Sequence, residues 1–181
     1  MGKLFVISGS SGVGKGTVIK EFLKKNPEFK LSISCTTRNP REGEVDGVNY
    51  FFLSRDEFKS FIDKDDFLEW AEFSGNMYGT RKEYVLRKLA EGNNIILEID
   101  TQGALKVKEK MPEATLIFIL PPSFEELEAR LRGRHTETEE AIQKRLNSTK
   151  LEMENSKYFD YTVINDSVEN AVLALEKLMK G

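Results

Sequence analysis

Nine consecutive residues, GSSGVGKGT at positions 9–17, have the composition of a loop that binds phosphate. They follow the apolar run LFVIS, precede a lysine-rich helical pattern and fit the spacing G-x-x-x-x-G-K. Glycines let the backbone N–H groups surround a phosphate chain, and the following helix N-terminus adds a favourable dipole. The predicted nucleotide-binding residues are Gly9, Ser10, Ser11, Gly12, Val13, Gly14, Lys15, Gly16 and Thr17, with Lys15 reaching the β and γ phosphates. A glycine-rich turn with an exposed lysine is the structural alternative.

One position of this loop departs from the common form. Gly16 stands where Ser or Thr usually ligates magnesium, and the hydroxyl arrives one residue later, at Thr17. We therefore expect Mg²⁺ to accompany the bound nucleotide, held mainly by nucleotide phosphates and water, with Thr17 and Asp100 as candidate contributors. Asp100 ends the apolar stretch IILEID and could order the water shell of the metal ion. It could instead simply cap the next helix.

Length and composition are those of an ordinary globular domain. The 181 residues, 39% of them hydrophobic, can bury one sizeable core. A net charge of −3 argues against a nucleic-acid-binding surface, and the single cysteine, Cys35, favours a reducing compartment. Apolar runs such as ATLIFIL are far shorter than the roughly 20 residues that span a bilayer. We expect a cytoplasmic protein that binds neither nucleic acid nor membrane.

Short apolar runs alternate with longer amphipathic segments, which predicts a mostly parallel sheet covered by helices. The predicted strands are Leu4–Ser8, Leu31–Ser34, Ile95–Ile99, Thr115–Leu120 and Tyr161–Ile164. The predicted helices are Thr17–Lys25, Lys82–Glu91, Gly103–Lys110, Phe124–Arg132, Glu137–Lys157 and Val168–Lys180. Capping boxes are expected for Ser123 with Glu126 and for Thr136 with Glu139.

The sequence changes character between Arg38 and Gly79, where turn residues and aromatic residues predominate. We interpret this region as an inserted, partly β lobe. Phe58, Phe61 and Trp70 are expected to belong to its core.

Four separated segments resemble the guanylate kinase family, and they occur in that family's order. They are SISCTTRNPREGEVDGVNYFF, FLEWAEFSGNMYGT, EIDTQG and RLRGRHTETEEAIQKRL, and the resemblance extends from Leu4 to Asp166. It implies an α/β, three-layer P-loop kinase fold with a mostly parallel central sheet, an inserted mixed β acceptor lobe and a helical lid. It also implies transfer of the γ-phosphate of ATP to GMP, and to dGMP, without a covalent enzyme intermediate.

The resemblance assigns the acceptor site residue by residue. The phosphate of GMP is expected to be bound by Arg38, Arg41, Tyr50 and Tyr78, a role that suits guanidinium forks and phenolic hydroxyls. Guanine is expected to be read by Glu69, Ser34 and Thr80, and Asp100 completes the predicted GMP site. A carboxylate can accept hydrogen bonds from N1–H and the N2 amino group of guanine, which adenine lacks.

Arginines are concentrated just before the stretch HTETEE. By resemblance, Arg130, Arg134 and Arg145 close over ATP and the transferring group, and together with Lys15 and Arg38 they form the predicted catalytic set. Positioned cations stabilise the spread negative charge of a loose transition state. Arg132 is expected to be a solvated surface charge, and His135 a lid residue with no role as a base.

The predicted layout is one domain over residues 1–181, whose core comprises 1–33, 82–125 and 158–181. The GMP-binding lobe is 34–81 and the lid is about 126–157. Two alternatives remain: a catalytically inactive guanylate-kinase-like module that binds phosphopeptides, and a kinase of the same fold with another acceptor. The sequence carries no sign of the oligomeric state.

Overall fold

The computed structural model describes residues 1–10 and 12–181, so Ser11 of the predicted phosphate loop lies outside the described residues. The strands are β1 Leu4–Gly9, β2 Phe29–Leu31, β3 Cys35–Thr36, β4 Phe51–Phe52, β5 Phe67–Phe73, β6 Asn76–Arg81, β7 Asn94–Glu98, β8 Thr115–Leu120 and β9 Tyr161–Ile164. The helices are α1 Lys15–Lys25, α2 Arg55–Asp63, α3 Lys82–Ala90, α4 Thr101–Lys110, α5 Phe124–Gly133, α6 Glu139–Asn155 and α7 Val168–Lys180.

Five parallel strands form the central sheet, in the order β2-β7-β1-β8-β9. Successive β1 side chains point to opposite faces: Leu4 and Val6 pack with α3 and α4, whereas Phe5 and Ile7 pack with α1 and α7. Because both faces are covered, the three inner strands β1, β7 and β8 carry continuous buried apolar runs rather than an alternating pattern. Strand β1 lies between its crossover neighbours β7 and β8, so its carboxyl end opens at the topological switch point, where such folds bind ligands.

A second, mixed sheet has the order β4-β3-β6-β5, with β3 parallel to β4 and the other pairs antiparallel. Helix α2 packs behind it, where the rings of Phe58 and Phe67 stack 4.5 Å apart. The register of β5 against β6 shifts between Phe67 and Glu69, and the first residues of β5 pack against α4. The expected architecture, a parallel core sheet with a mixed β insertion, is confirmed.

Helices α5 and α6 form an antiparallel pair with a small apolar cluster of their own. Leu127 and Leu131 from α5 meet Ile142 and Leu146 from α6. The Ser123 hydroxyl accepts from the Glu126 N–H at the start of α5, so half of the predicted capping box forms.

Three local predictions are wrong. The strand expected at Leu31–Ser34 instead ends at Leu31, because the chain leaves β7 after Ser32 and turns toward the second sheet. The capping box of Thr136 with Glu139 does not form, since Thr138 caps α6 by accepting from the Ala141 N–H. Trp70 is 38% exposed on β5, where its ring meets that of Phe58 edge to face, so it is not a core residue.

Within residues 1–10 and 12–181, none of the helices combines the length and the apolar character that crossing a membrane requires.

Candidate active site

The phosphate loop connects β1 to α1 at the carboxyl edge of the central sheet. Gly12 and Gly14 have φ angles of 78° and 85°, a left-handed conformation that other residues adopt at a cost. At Gly9 a Cβ atom would lie 2.9 Å from the Ile119 carbonyl oxygen, so a side chain there would collide with β8. Val13 is buried in the core and fixes the crest of the loop. The turn is therefore shaped by close packing as well as by its glycines.

Lys15 begins α1 and lies half-buried in the loop. Its Nζ atom is 3.4 Å from the carbonyl oxygen of Ile99, just after β7. Burial lowers the pKa of Lys15, whereas the nearby carboxylates of Glu98, Asp100 and Glu152 act in the opposite direction. The ammonium group thus faces a negative wall rather than open solvent, which argues against the alternative of a turn with an exposed lysine.

A cleft of about 310 Å³ opens between the second sheet and the carboxyl end of β7. Its walls contain Ser34, Tyr50, Glu69, Ala71, Phe73, Tyr78, Gly79, Glu98, Ile99 and Asp100. Five of these were predicted as acceptor-site residues. A recess of about 150 Å³ shares several of the same residues and adds Thr80, a sixth. The fold therefore collects side chains that are up to 66 positions apart into one cavity beside the phosphate loop.

Glu69 forms the polar centre of the cleft. The buried Thr80 hydroxyl donates to Glu69 Oε1 at 2.8 Å across the β5–β6 pair. Burial raises the pKa of Glu69, an effect that the hydrogen bond from Thr80 partly offsets. A Cβ atom on Gly103 would lie 3.2 Å from Glu69 Oε2, so the start of α4 closes one side of the carboxylate. Such a desolvated, oriented carboxylate suits a ligand with two adjacent N–H donors.

Arg38 is held by Glu44, a residue that the sequence reasoning missed. The Arg38 guanidinium donates from its two terminal nitrogens to both Glu44 oxygens, at 2.8 and 3.1 Å, and it lies 5.3 Å from the Tyr50 ring centroid. The Arg41 backbone N–H also donates to Glu44, at 2.7 Å. The Arg38 hydrogen bonds and the Arg41 N–H bring the pKa of Glu44 down to about 2. No sequence signal marked Glu44, because its partner lies in an irregular loop.

The other residues predicted to bind the phosphate of GMP, Arg41, Tyr50 and Tyr78, are only partly brought together. The rings of Tyr50 and Tyr78 approach edge to face, with centroids 6.3 Å apart. The hydrogen bonds that Arg38 donates to Glu44, and those it shares with Tyr78 and Tyr50, raise the pKa of Arg38 further above its already high value. Arg41 is exposed in its loop and does not line the cleft among the described residues.

The arginines of the α5–α6 pair lie on its surface, and among the described residues none of them lines the acceptor cleft. Arg130 pairs with Glu126 at 3.1 Å and Arg145 with Glu137 at 2.7 Å. Arg134 is exposed and, within the described ranges, makes no ion pair. Arg132 was expected to be a solvated surface charge. Its guanidinium instead bridges Glu128 of α5 and Glu139 of α6.

Oxygen donors for a divalent cation are sparse on the protein side. No group of three His, Cys, Asp or Glu side chains is arranged for a metal ion anywhere in residues 1–10 and 12–181. Thr17 is exposed on the first turn of α1. Asp100 Oδ1 accepts from the Gly103 N–H at 2.7 Å and so caps α4, while the side chain also lines the cleft. The capping function considered from sequence is thus present.

Comparison with known families decides between the interpretations of this site. Residues 1–181, the whole chain, match the family model described as Guanylate kinase. The chain belongs to the guanylate kinase family. A guanylate kinase of Caldanaerobacter subterraneus is 58% identical over 171 residues, which cover 94% of this chain and 83% of the relative. One from Prochlorococcus marinus is 53% identical over 178 residues, with 98% and 97% covered.

The solved structures agree with this membership. The crystal structure of a guanylate kinase from Anaplasma phagocytophilum superposes with a TM-score of 0.74 at 31% identity, covering 99% of this chain and 85% of that one. All four segments on which the family resemblance rested contribute to the cleft, the phosphate loop wall or the α5–α6 pair. Glu98 lines both cavities and faces Lys15, and the sequence reasoning passed over it in favour of Asp100 two residues later.

Proposed function

We propose that the cleft beside β5 and β6 binds GMP, that the loop after β1 binds ATP, and that phosphoryl transfer takes place between them. The relatives of the chain are named guanylate kinase and align over most of its length, so the protein is an ATP:GMP phosphotransferase. Neither the binding-module alternative nor the alternative of another acceptor is favoured. The same site is proposed to accept dGMP.

The observation that carries the proposal is the contact between the two sites. Lys15 of the phosphate loop reaches the Ile99 carbonyl, and Ile99, Glu98 and Asp100 form a wall of the acceptor cleft. A γ-phosphate bound near Lys15 would therefore lie at the mouth of the cleft. Catalysis of phosphoryl transfer depends mainly on positioning and charge stabilisation, so the closeness of the two sites supports direct in-line transfer.

Glu69 is proposed to select guanine. Its carboxylate can accept from N1–H and the N2 amino group, while Ser34, which lines the same cleft, is proposed to offer its hydroxyl to the other edge of the base. Thr80, whose hydroxyl donates to Glu69 Oε1, is proposed to hold the carboxylate in position. AMP has an unprotonated N1 and no amino group beside it, so it would leave a desolvated carboxylate unpaired. Sites of this kind discriminate by roughly 10⁴ or more.

The arginines are proposed to act in two groups. Arg38, Arg41, Tyr50 and Tyr78 bind and orient the phosphate of GMP, with Arg38 already fixed by Glu44. The α5–α6 pair, within the predicted lid at about 126–157, is proposed to close over ATP. This movement would bring Arg130, Arg134 and Arg145 to the transferring group. Closure would exclude water, which otherwise could attack the γ-phosphate. No histidine base is required, because the attacking phosphate oxygen of GMP is already anionic.

Magnesium is proposed to enter with ATP. The donor set fits a cation held chiefly by phosphates and water, since the described residues offer the hydroxyl of Thr17 and the carboxylate of Asp100 but no cluster of ligands. When bound with ATP, magnesium neutralises charge on the β and γ phosphates. Asp100 would orient the water shell, and Lys15, which lies near it, would hold the phosphate chain.

A coupled ADP-release assay with MgATP and GMP, AMP or UMP in turn tests the proposal. Rapid turnover is expected with GMP and not with the other two. Equal turnover with AMP would contradict the assignment of Glu69, and folded protein inactive with every acceptor would contradict the transferase function itself.

A further inference from the structure

Asn165 joins the phosphate loop to the central sheet. It follows β9 directly, and only 6% of its surface is exposed. Its backbone N–H donates to the Leu120 carbonyl at 2.9 Å, which continues the pairing of β8 with β9. The main chain at Asn165 is therefore fixed by the sheet, and its side chain projects from a rigid position.

The side-chain amide of Asn165 grips the phosphate loop at one carbonyl. Its Nδ2 atom donates to the Val13 carbonyl oxygen at 2.7 Å, a contact between residues 152 positions apart in the chain. The carbonyl of Val13 and the N–H of Gly14 belong to one planar trans peptide, so they point in opposite directions. Holding that carbonyl toward Asn165 thus turns the Gly14 N–H away from it. The N–H groups of such a loop are the ones that bind phosphate.

The packing around this contact leaves little freedom. A Cβ atom on Gly14 would lie 3.0 Å from Asn165 Nδ2, in addition to the left-handed φ of Gly14. The loop crest and the amide are therefore in direct contact, with no space for a side chain between them. A substitution of Asn165 would first change the orientation of the Val13–Gly14 peptide.

The Asn165 amide is only half satisfied. Its Oδ1 atom is buried and has no hydrogen-bond partner in the part of the chain that the structure describes. A buried polar atom without a partner costs stability, so this side chain is a poor choice for packing alone. The one hydrogen bond that its side chain makes among the described residues is the donation from Nδ2 to the Val13 carbonyl oxygen.

We propose that Asn165 is a positioning residue that orients the Val13–Gly14 peptide, so that the loop N–H groups face the β and γ phosphates of ATP. The inference rests on the proposed binding of ATP by this loop. It concerns the ATP side of the reaction only and predicts no effect on the acceptor cleft.

The test compares Asn165→Ala with Asn26→Ala in the full-length protein. Asn26 is a matched control, because it is also buried and donates from Nδ2 to a backbone carbonyl, that of Phe22 at 2.9 Å, at the far end of α1. Removing the Asn165 donor should raise KM for ATP about tenfold while KM for GMP stays within twofold. Asn26→Ala should lower the thermal midpoint and leave both KM values unchanged.

A second variant keeps the test decisive if Asn165→Ala does not fold. Asn165→Asp retains the shape of the side chain and replaces the donor by an oxygen, so the same ATP-specific loss is expected. An unchanged KM for ATP, or equal changes for ATP and GMP, would overturn the inference. If the wild-type protein lacked GMP-dependent activity, the proposed function would fail instead, and calorimetric titration of the variants with MgADP would still measure the loop.

Discussion

The arginines proposed to act on phosphoryl groups belong to two regions, the border of the acceptor cleft and the α5–α6 pair, and the structure holds them in different ways. Arg38 lies beside the cleft, over the ring of the cleft residue Tyr50. Its side chain is 14% exposed and is bound at two points by the Glu44 carboxylate, which is 19% exposed. On α5, Arg130 is 38% exposed and meets a single oxygen of Glu126, which is 47% exposed. The first arginine is positioned before any ligand arrives, whereas the second is held by a contact that solvent competes for.

This difference in preorganisation predicts that one group of arginines affects the affinity for GMP and the other affects the rate of phosphoryl transfer. Exposed ion pairs contribute little to stability, so arginines on the α5–α6 pair can leave their glutamates cheaply when a nucleotide is bound. A side chain held in a ligand-ready position has already lost its conformational freedom and improves binding directly. We therefore expect changes in the cleft to act on GMP use, and changes on α5–α6 to act on the transfer step.

The largest expected effect is that of Arg145→Ala. Removal of a cation that stabilises the transferring group should lower kcat about 10²- to 10³-fold, with KM for GMP changed little. Steady-state rates at saturating ATP and GMP measure this. Lys144→Ala, at the exposed neighbouring position of α6, is the control and should keep its full rate. A rise in KM for GMP with an unchanged kcat would mean that Arg145 contributes to GMP binding and not to the transfer step.

Glu69→Gln should lower kcat/KM for GMP about 100-fold, because the amide presents a donor where guanine requires an acceptor. KM for ATP should remain near the wild-type value, and discrimination against AMP should weaken. Glu72→Gln on the same strand is exposed and should behave like wild type. Equal losses for both nucleotides would mean that guanine is recognised elsewhere.

Glu44→Gln tests the positioning of Arg38 alone. Without the two-point charged contact, Arg38 should sample other rotamers, and KM for GMP should rise about tenfold while kcat falls less. Initial rates at varied GMP give both constants. Glu42→Gln, an exposed change two residues earlier, controls for charge in the loop. If Glu44→Gln lowered KM instead, Glu44 would be a competitor of the GMP phosphate rather than its organiser.

Sequence alone predicted the features that depend on neighbouring residues. Strands β8 and β9 and helix α7 have the predicted bounds, because apolar runs and cap residues are local signals. The phosphate loop was recognisable since its glycines and lysine are contiguous. Five of the ten residues that line the cleft followed from the family resemblance, whereas Glu98 and Ile99 on the phosphate-loop side did not.

Contacts between distant or irregular segments could not be predicted in this way. The grip of Glu44 on Arg38 depends on the path of a loop, and the bond from Asn165 to Val13 depends on the pairing of β8 with β9. The start of α6 shows a subtler limit. The run HTETEE offers two possible caps, and the left-handed φ of 51° at His135 places the turn so that Thr138 becomes the cap.

The smallest expected effect concerns the stability of the cleft at low pH. The pKa of Glu44 in the folded protein, about 2, lies below the unfolded value of about 4.3, so folding favours its ionised form. Its contribution to stability is therefore complete above about pH 4.3 and is lost as the pH falls toward 2. Thermal midpoints of wild type and Glu44→Gln should differ at pH 7, and that gap should narrow at pH 3. A gap of constant size would show that Glu44 stabilises the loop through shape rather than charge, and the contrast with the solvent-exposed arginines of α5–α6 would then rest on burial alone.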